Sequence, residues 1–281
     1  MNYLSALNYG NKLLRAQNIK CFNLDTELLL SKAINSTREM LLINLNNKIK
    51  KNNFETYKKL ILRRRNNEPI AYILKKKEFW KYTFRVSKEV LIPRPETEII
   101  VNNVLKLSNS NSKKNILDVG TGSGCILISI IKERPKFYGT GIDICKKALK
   151  LAISNAKMHH IENKIKFINI DIDKFNNNKY DFIVSNPPYI NEISFKRLEA
   201  NVKLFEPTIA LKAGLDGLRV IENIIKQSKK LLKKNGKLIF EFGENQESKV
   251  KNLLMENKFY INKVCKDIRS FPRVIVSTKL I

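Results

Sequence analysis

Five consecutive residues, Ser185-Asn186-Pro187-Pro188-Tyr189, carry the most concentrated chemistry in the chain. Asn186 offers one amide oxygen as acceptor and one NH2 group as donor. Pro187 and Pro188 lack an N–H, so their backbone contributes only carbonyl acceptors, at fixed φ. Tyr189 adds a flat aromatic face. Two rigid acceptors beside a stacking surface suit a planar –NH2 group. A Pro-Pro turn that merely stops a strand reads the same way, so the motif needs support from the rest of the chain.

That support begins with Ile116-Leu-Asp-Val-Gly-Thr-Gly-Ser-Gly-Cys125, which reads as a strand, a glycine loop and a helix. Gly120, Gly122 and Gly124, with Thr121 and Ser123 between them, let the backbone turn tightly and approach a ligand. The G-x-G-x-G spacing differs from the dinucleotide pattern G-x-G-x-x-G. Asp143 ends the next strand, where a carboxylate can accept hydrogen bonds from both hydroxyls of a ribose. Asp118, at the end of the first strand, either orients the loop or meets the amino-acid portion of a cofactor. Asp171 ends the third strand and can accept from an adenine amino group, with Ile172 flanking the ring. Asp173 competes for that role, and the sequence leaves both open.

These residues need elements to position them. Tyr180-Asp-Phe-Ile-Val184 is an apolar run stopped by two prolines, a buried strand whose carboxyl end holds Asn186. Open α/β sheets place ligands at such strand ends. From Asn115 onward strands and helices alternate, the mark of a mostly parallel sheet. Strands are expected at 115–119, 138–142, 165–170, 180–185 and 237–242, and helices at 123–133, 145–158, 218–234 and 245–257. Two further strand-like runs, 260–264 and 273–279, suggest an antiparallel edge. Residues 1–75 read as several short helices, with Leu4, Leu7, Leu13 and Leu14 near helical spacing. Asp25 and Asn53 are candidate helix caps, and Arg63-Arg64-Arg65 form a basic helix end. Between 76 and 93, aromatic alternation over Glu78–Val86 and the run Val90–Pro93 read as two β runs around a polar turn, which suggests a hairpin linker. Residues 94–281 then form the large domain, its first helix opened by Arg94-Pro95-Glu96-Thr97-Glu98.

Composition bounds the reading. The 281 residues carry 53 Lys and Arg against 26 Asp and Glu, a net charge of +27. Such a balance can mark a polyanionic partner or neighbourhood, the ribosome among them. The lysines are nevertheless spread along the whole chain among many asparagines, as in Asn46–Asn53, which also fits a general bias filling solvated positions. The four cysteines are far apart with no C-x-x-C pair, so neither a disulfide framework nor a metal site is expected. The apolar runs are too short to span a membrane, and a cytoplasmic protein is expected.

Glycine loop, ribose acid, adenine acid and N-P-P-Y arrive in order at successive strand ends. That set resembles S-adenosylmethionine-dependent methyltransferases that modify planar amino or amide nitrogens. Pro69-Ile-Ala-Tyr-Ile73, Glu78-Phe-Trp80, Leu91-Ile-Pro-Arg-Pro-Glu-Thr-Glu98, Phe205-Glu-Pro207, Gly214-Leu-Asp-Gly-Leu218 and Glu241-Phe-Gly243 narrow it. Together they resemble the release factor glutamine methyltransferase family (HemK/PrmC), over essentially the whole chain. Lys212-Ala213 before Gly214, and Ser270-Phe-Pro272 before Arg273, depart from the usual pattern.

The resemblance implies a Rossmann-like α/β fold with a seven-stranded methyltransferase sheet and a small N-terminal helical domain that helps grip the substrate. It implies methylation of the glutamine in the Gly-Gly-Gln tip of peptide chain release factors. Residues 120–124, Asp143, Asp171, Ile172 and Asn186 would bind S-adenosylmethionine. Asn186, Pro187, Pro188 and Tyr189 would hold the glutamine, with Asn186, Pro187 and Tyr189 catalytic. A monomer with no required nucleic-acid contact is expected. The rivals are a nucleic-acid adenine methyltransferase, which shares N-P-P-Y, a NAD enzyme, which shares the glycine loop and the ribose acid, and a non-catalytic ribosome-associated module.

Overall fold

The computed structural model describes residues 1–177 and 179–280. Two compact units are present, one of Met1–Lys75 with Glu199–Phe205, the other of Lys76–Leu198 with Glu206–Ile281. Among the described residues no helix is long and apolar enough to cross a membrane.

The first unit is built on helices α1 (Tyr3–Arg15), α2 (Phe22–Ile34), α3 (Arg38–Ile43), α4 (Lys51–Arg65) and α5 (Ile70–Leu74). Leu7, Leu14, Leu29, Leu30, Leu41 and Ile61 meet in its core, each contributing about 1.5–3 kcal/mol through burial. Leu4, expected on the same face, is exposed. Asn2 caps α1 by accepting the Ser5 N–H. The two caps expected from sequence lie elsewhere. The α2 helix starts at Phe22, which leaves Asp25 inside the first turn, 3% exposed and accepting from Arg64 at 2.6 Å. The α4 helix starts at Lys51, because the Phe54 N–H already donates to the Lys50 carbonyl and Asn53 is therefore helical. Two members of the basic helix end are consumed by pairing, Arg64 with Asp25 and Arg63 with Glu68.

The second unit opens with a hairpin of β1 (Lys76–Phe79) and β2 (Tyr82–Arg85). Its turn falls at Trp80-Lys81, inside the aromatic run, and Trp80 takes a left-handed φ of +59°. The indole N–H donates to Glu133 and the Trp80 backbone N–H to Glu98, which hold the turn. Val90–Pro93 forms no strand; the Ile92 N–H donates to the Glu206 carboxylate.

The chain then runs α6 (Glu98–Lys106), β3 (Asn115–Val119), α7 (Cys125–Glu133), β4 (Tyr138–Asp143), α8 (Lys146–Met158), β5 (Ile165–Asn169) and β6 (Tyr180–Ser185). Short helices α9 (Glu192–Lys196) and α10 (Ala200–Lys203) follow, then α11 (Arg219–Leu231), β7 (Leu232–Glu241), α12 (Glu247–Glu256), β8 (Phe259–Lys266) and β9 (Pro272–Lys279). The α7 helix is apolar almost all round and buried from Cys125 to Ile131, as expected of a helix covered on every side. The α11 helix ends three residues earlier than its pattern suggests. Leu232 leaves it to pair with Tyr180, and a register shift lets the exposed Lys233–Asn235 bulge before Lys237 pairs with Phe182.

Seven strands form one sheet in the order β5-β4-β3-β6-β7-β9-β8. The first five are parallel, and β9 runs antiparallel between β7 and β8. This is the Rossmann-like methyltransferase architecture. The strand order reverses between β3 and β6, so their carboxyl ends diverge into helices on opposite sides and leave a crevice.

The Arg64–Asp25 pair is the sharpest stability test in the first unit, because its side chains are only 12% and 5% exposed. Removing one partner strands a buried charge, so Arg64→Met lowers the unfolding free energy by roughly 3 kcal/mol in urea titrations. Adding Asp25→Asn recovers most of that loss. An unchanged urea midpoint for the single variant would contradict the assignment.

Candidate active site

The glycine loop is shaped by the two strands beneath it. Gly120 and Thr121 both donate their N–H to the Ile142 carbonyl of β4, at 2.9 and 3.0 Å. Gly120, Gly122 and Gly124 have φ of +70°, +55° and +80°, where a side chain is strained. At Gly124 a Cβ would also come within 2.9 Å of Ile128 Cδ1 on α7.

Two carboxylates hold this loop from behind. Asp143 accepts the Gly122 N–H at 2.9 Å on one oxygen and the Cys145 N–H at 2.8 Å on the other. Burial raises its pKa, and those backbone bonds oppose the rise. Asp118 is fully buried, and its Oδ2 accepts the Thr121 hydroxyl at 2.7 Å. Burial pushes the Asp118 carboxyl up to about 7, the Thr121 bond opposing and the Asp143 charge adding to the rise. Its Oδ1 has no hydrogen-bond partner among the described residues.

The Ser185–Tyr189 segment is tied down from three sides. The buried Ser185 hydroxyl donates to the Val119 carbonyl at 2.7 Å, joining the ends of β6 and β3. The Asn186 NH2 donates to Thr97 Oγ1 at 2.9 Å, and the Thr97 hydroxyl donates to Glu241 Oε2 at 2.6 Å. The Tyr189 hydroxyl donates to Glu241 Oε1 at 3.0 Å. Glu241, at the end of β7, is 1% exposed. Burial pushes its pKa up; the Thr97 and Tyr189 bonds and the charge of Arg273 pull it back. Burial, with the neighbouring Glu241 charge, raises the Tyr189 phenol.

Further contacts position these partners. Thr97 ends the short turn Pro95–Thr97, anchored upstream where Arg94 pairs with Glu206 and the Ile92 N–H meets the same carboxylate. The Gln246 side chain donates to the Tyr189 carbonyl at 3.1 Å and the Asp216 carbonyl at 3.3 Å.

A cavity of about 570 Å³ opens over the strand ends. Of the residues singled out in the sequence, Gly120, Thr121, Gly122, Ser123, Asp143, Asp171, Ile172, Asn186 and Pro188 line it. Gly124, Pro187 and Tyr189 do not; Gly124 faces α7, and Tyr189 packs against the core beside Glu241. Asp171 and Asp173 both reach the wall. Asp171 caps the following turn by accepting the Asp173 N–H, while the Asp173 carboxylate accepts from Asn223 at 2.9 Å. The segment from Pro207 to Gly214, including the atypical Lys212-Ala213, closes another side. Sequence reasoning gave no role to Thr97 or Glu241. Their one signal was an acid ending a strand, and a threonine in a dense Pro-Glu-Thr-Glu run, at the same end of the sheet as Asn186.

Comparison with known proteins agrees with this architecture. The family description "PrmC N-terminal domain" matches residues 5–74, and "Methyltransferase domain" matches residues 110–278. A release factor glutamine methyltransferase of Fusobacterium nucleatum is 39% identical over 92% of this chain and 73% of its own length. One from Buchnera aphidicola is 38% identical over 92% of both. A bifunctional methyltransferase of Rickettsia typhi is 38% identical over 96% of the chain, which spans only 56% of that longer relative. Among solved structures, a methyltransferase from Pyrococcus furiosus (TM-score 0.53, 12% identity, covering 70% of this chain and 89% of its own) shares the fold. So does a ribosomal protein L11 methylase from Lactobacillus delbrueckii (0.52, 19%, 73% and 90%).

The raised Asp118 pKa sets a pH signature with a definite sign. The unfolded chain ionises Asp118 near 3.8, whereas the folded chain keeps its proton until about 7. Stability from this group is therefore whole below 3.8 and declines as pH rises toward 7. Asp118→Asn does not titrate, so the stability of the wild type relative to this variant falls across that window. Urea titrations at several pH values read it, and a pH-independent difference would contradict it.

Proposed function

This chain belongs to the release factor glutamine methyltransferase family, and on that premise we propose that it methylates the side-chain amide nitrogen of the glutamine in the Gly-Gly-Gln motif of peptide chain release factors, using S-adenosylmethionine. The observation that carries this reading is the Asn186 amide, held by its NH2 end so that its oxygen is the end left for a substrate. Asn186 lines a cavity with the donors and acceptors a nucleoside needs.

The residues present fit the cofactor. Each Asp143 oxygen accepts one backbone N–H and keeps a further lone pair, enough for the two ribose hydroxyls. Ile172 provides an apolar flank for the adenine, and Asp171 and Asp173, each with one oxygen engaged by a neighbour, are the two acceptors available to its amino group. The loop 120–124 lets backbone approach the amino-acid portion closely. When bound, S-adenosylmethionine supplies an electrophilic methyl group on a sulfonium.

The harder partner is the amide, whose nitrogen lone pair is delocalised, as its rotation barrier of ~18–20 kcal/mol shows. Asn186 Oδ1 and the Pro187 carbonyl each accept one of the two amide N–H bonds. That fixes the plane of the amide and favours the positive charge that develops on nitrogen. Pro188 and Tyr189 complete the substrate side of the motif. We assign no general base, and the nitrogen loses its proton after transfer. The first helical unit adds a second hold on the release factor; the enzyme acts in the cytoplasm as a monomer and requires no nucleic acid.

Labelled S-adenosylmethionine is offered a release factor, its Gly-Gly-Gln glutamine variant and duplex DNA in parallel. Label on the wild-type factor alone is expected; label on DNA would replace this reading with adenine methylation. Asn186→Ala lowers kcat by roughly 10²-fold or more, and near-wild-type turnover with the cofactor still bound would defeat this role. Asp143→Ala weakens cofactor affinity in calorimetry, and an unchanged affinity would remove Asp143 from the ribose.

A further inference from the structure

The buried Glu241 does not reach the cavity wall, yet two side chains of the site end on it. We propose that Glu241 is a positioning residue that dictates, through Thr97, which end of the Asn186 amide faces the substrate. This inference rests on the glutamine methyltransferase reading and adds to it the origin of the polarity of the site.

The argument is one of donors and acceptors. Both Glu241 oxygens accept, Oε2 from the Thr97 hydroxyl and Oε1 from the Tyr189 hydroxyl, so toward these two partners the carboxyl group acts as an acceptor. Thr97 has a single hydroxyl proton, and it is directed to Glu241 Oε2 at 2.6 Å. Toward Asn186, Thr97 therefore has only lone pairs left. Asn186 must then present its NH2, as it does at 2.9 Å, and its oxygen turns to the opposite side. The other Glu241 oxygen is occupied by the Tyr189 hydroxyl, which fixes the carboxylate plane. A flipped Asn186 amide would set its oxygen against the Thr97 lone pairs and aim two N–H donors at a substrate that itself offers N–H donors. One buried carboxylate, two residues removed from the reaction, thus selects the reactive orientation.

The relay can be cut and it can be reversed. Thr97→Val keeps the shape and removes both bonds, and Thr97→Ser keeps the bonds. A charge-assisted hydrogen bond of about 1.5–3 kcal/mol corresponds to a loss of roughly ten- to a hundredfold in kcat for Thr97→Val. Cofactor affinity stays near that of the wild type, and Thr97→Ser stays near wild-type kcat. Among the described residues the Tyr189 hydroxyl bonds only Glu241, whereas Thr97 has a second acceptor in the Asn186 amide. In Glu241→Gln the oxygen therefore stays on Tyr189 and the NH2 turns toward Thr97. The Thr97 proton then points at Asn186 and drives the wrong end of the amide to the substrate. Asn186→Asp alone sets a carboxylate against the Thr97 lone pairs. Combined, the two changes restore a consistent chain: Gln donates to Thr97, Thr97 donates to Asp, and the second Asp oxygen faces the substrate.

The experiment measures kcat on a release factor, and cofactor affinity by calorimetry, for wild type, Thr97→Val, Thr97→Ser, Glu241→Gln, Asn186→Asp and the Glu241→Gln/Asn186→Asp double variant. The expected result is a double variant faster than either single one. A double variant no faster than the slower single, or a Thr97→Val variant with wild-type kcat, overturns the relay. Side-chain amide NMR of Asn186, assigned through Asn186→Asp, reads the same relay without substrate. One amide proton should be shifted and slowly exchanging in wild type and Thr97→Ser, and move to solvent-like values in Thr97→Val. An unmoved resonance in folded Thr97→Val overturns the proposal. A wild type that methylates no glutamine sinks the functional reading instead, and leaves the NMR arm to decide the relay.

Discussion

Everything at this site depends on β3 and β6 lying side by side and parallel at the centre of the sheet. Val119 pairs with Ser185, so the first glycine of the loop and Asn186 leave adjacent strands at the same level. They are 66 residues apart in the chain, measured from Gly120 to Asn186. The Ser185 hydroxyl bond to the Val119 carbonyl locks that level where regular ladder bonding stops. The connections leave these two strands in opposite directions across the sheet, which opens a crevice between them. A one-residue slip of β6 would turn Asn186 to the other face and bury a polar amide.

The second constraint is the cost of burying a carboxylate at the end of β7. Taking Glu241 out of water is unfavourable unless its oxygens are satisfied. Thr97 and Tyr189 satisfy them, with the Arg273 charge nearby. Because those partners belong to the turn before α6 and to the segment after β6, the need to satisfy one acid gathers three distant parts of the chain. Gln246 performs a similar task with neutral groups, tying the Tyr189 carbonyl to the 214–217 loop. Rigidity at Asn186 therefore originates outside the cavity.

Local pattern made much of the fold legible. Buried parallel strands read as apolar runs, and β3 and β6 match their sequence-based bounds because glycine and proline end them abruptly. Helix starts in the first unit were less legible. Asp25 has the letter of a cap but the burial of an ion-pair partner, and the partner, Arg64, lies 39 residues away. The hairpin turn was misplaced because Trp80 rarely takes positive φ, and the bonds that hold it come from Glu98 and Glu133, far along the chain. At the site, many of the residues that line the cavity belong to short motifs and could be named in advance. Thr97 and Glu241 could not be given a role, since it exists only once β6, β7 and the 95–97 turn have converged.

The most direct test of the account is to find where the methyl group goes. A release factor is incubated with the protein and S-adenosylmethionine, digested, and the fragments are sequenced by tandem mass spectrometry. The account predicts one added methyl, on the side-chain nitrogen of the Gly-Gly-Gln glutamine and nowhere else in the factor. A methyl on any other residue, or a factor that returns unmodified while the cofactor is bound, would contradict it.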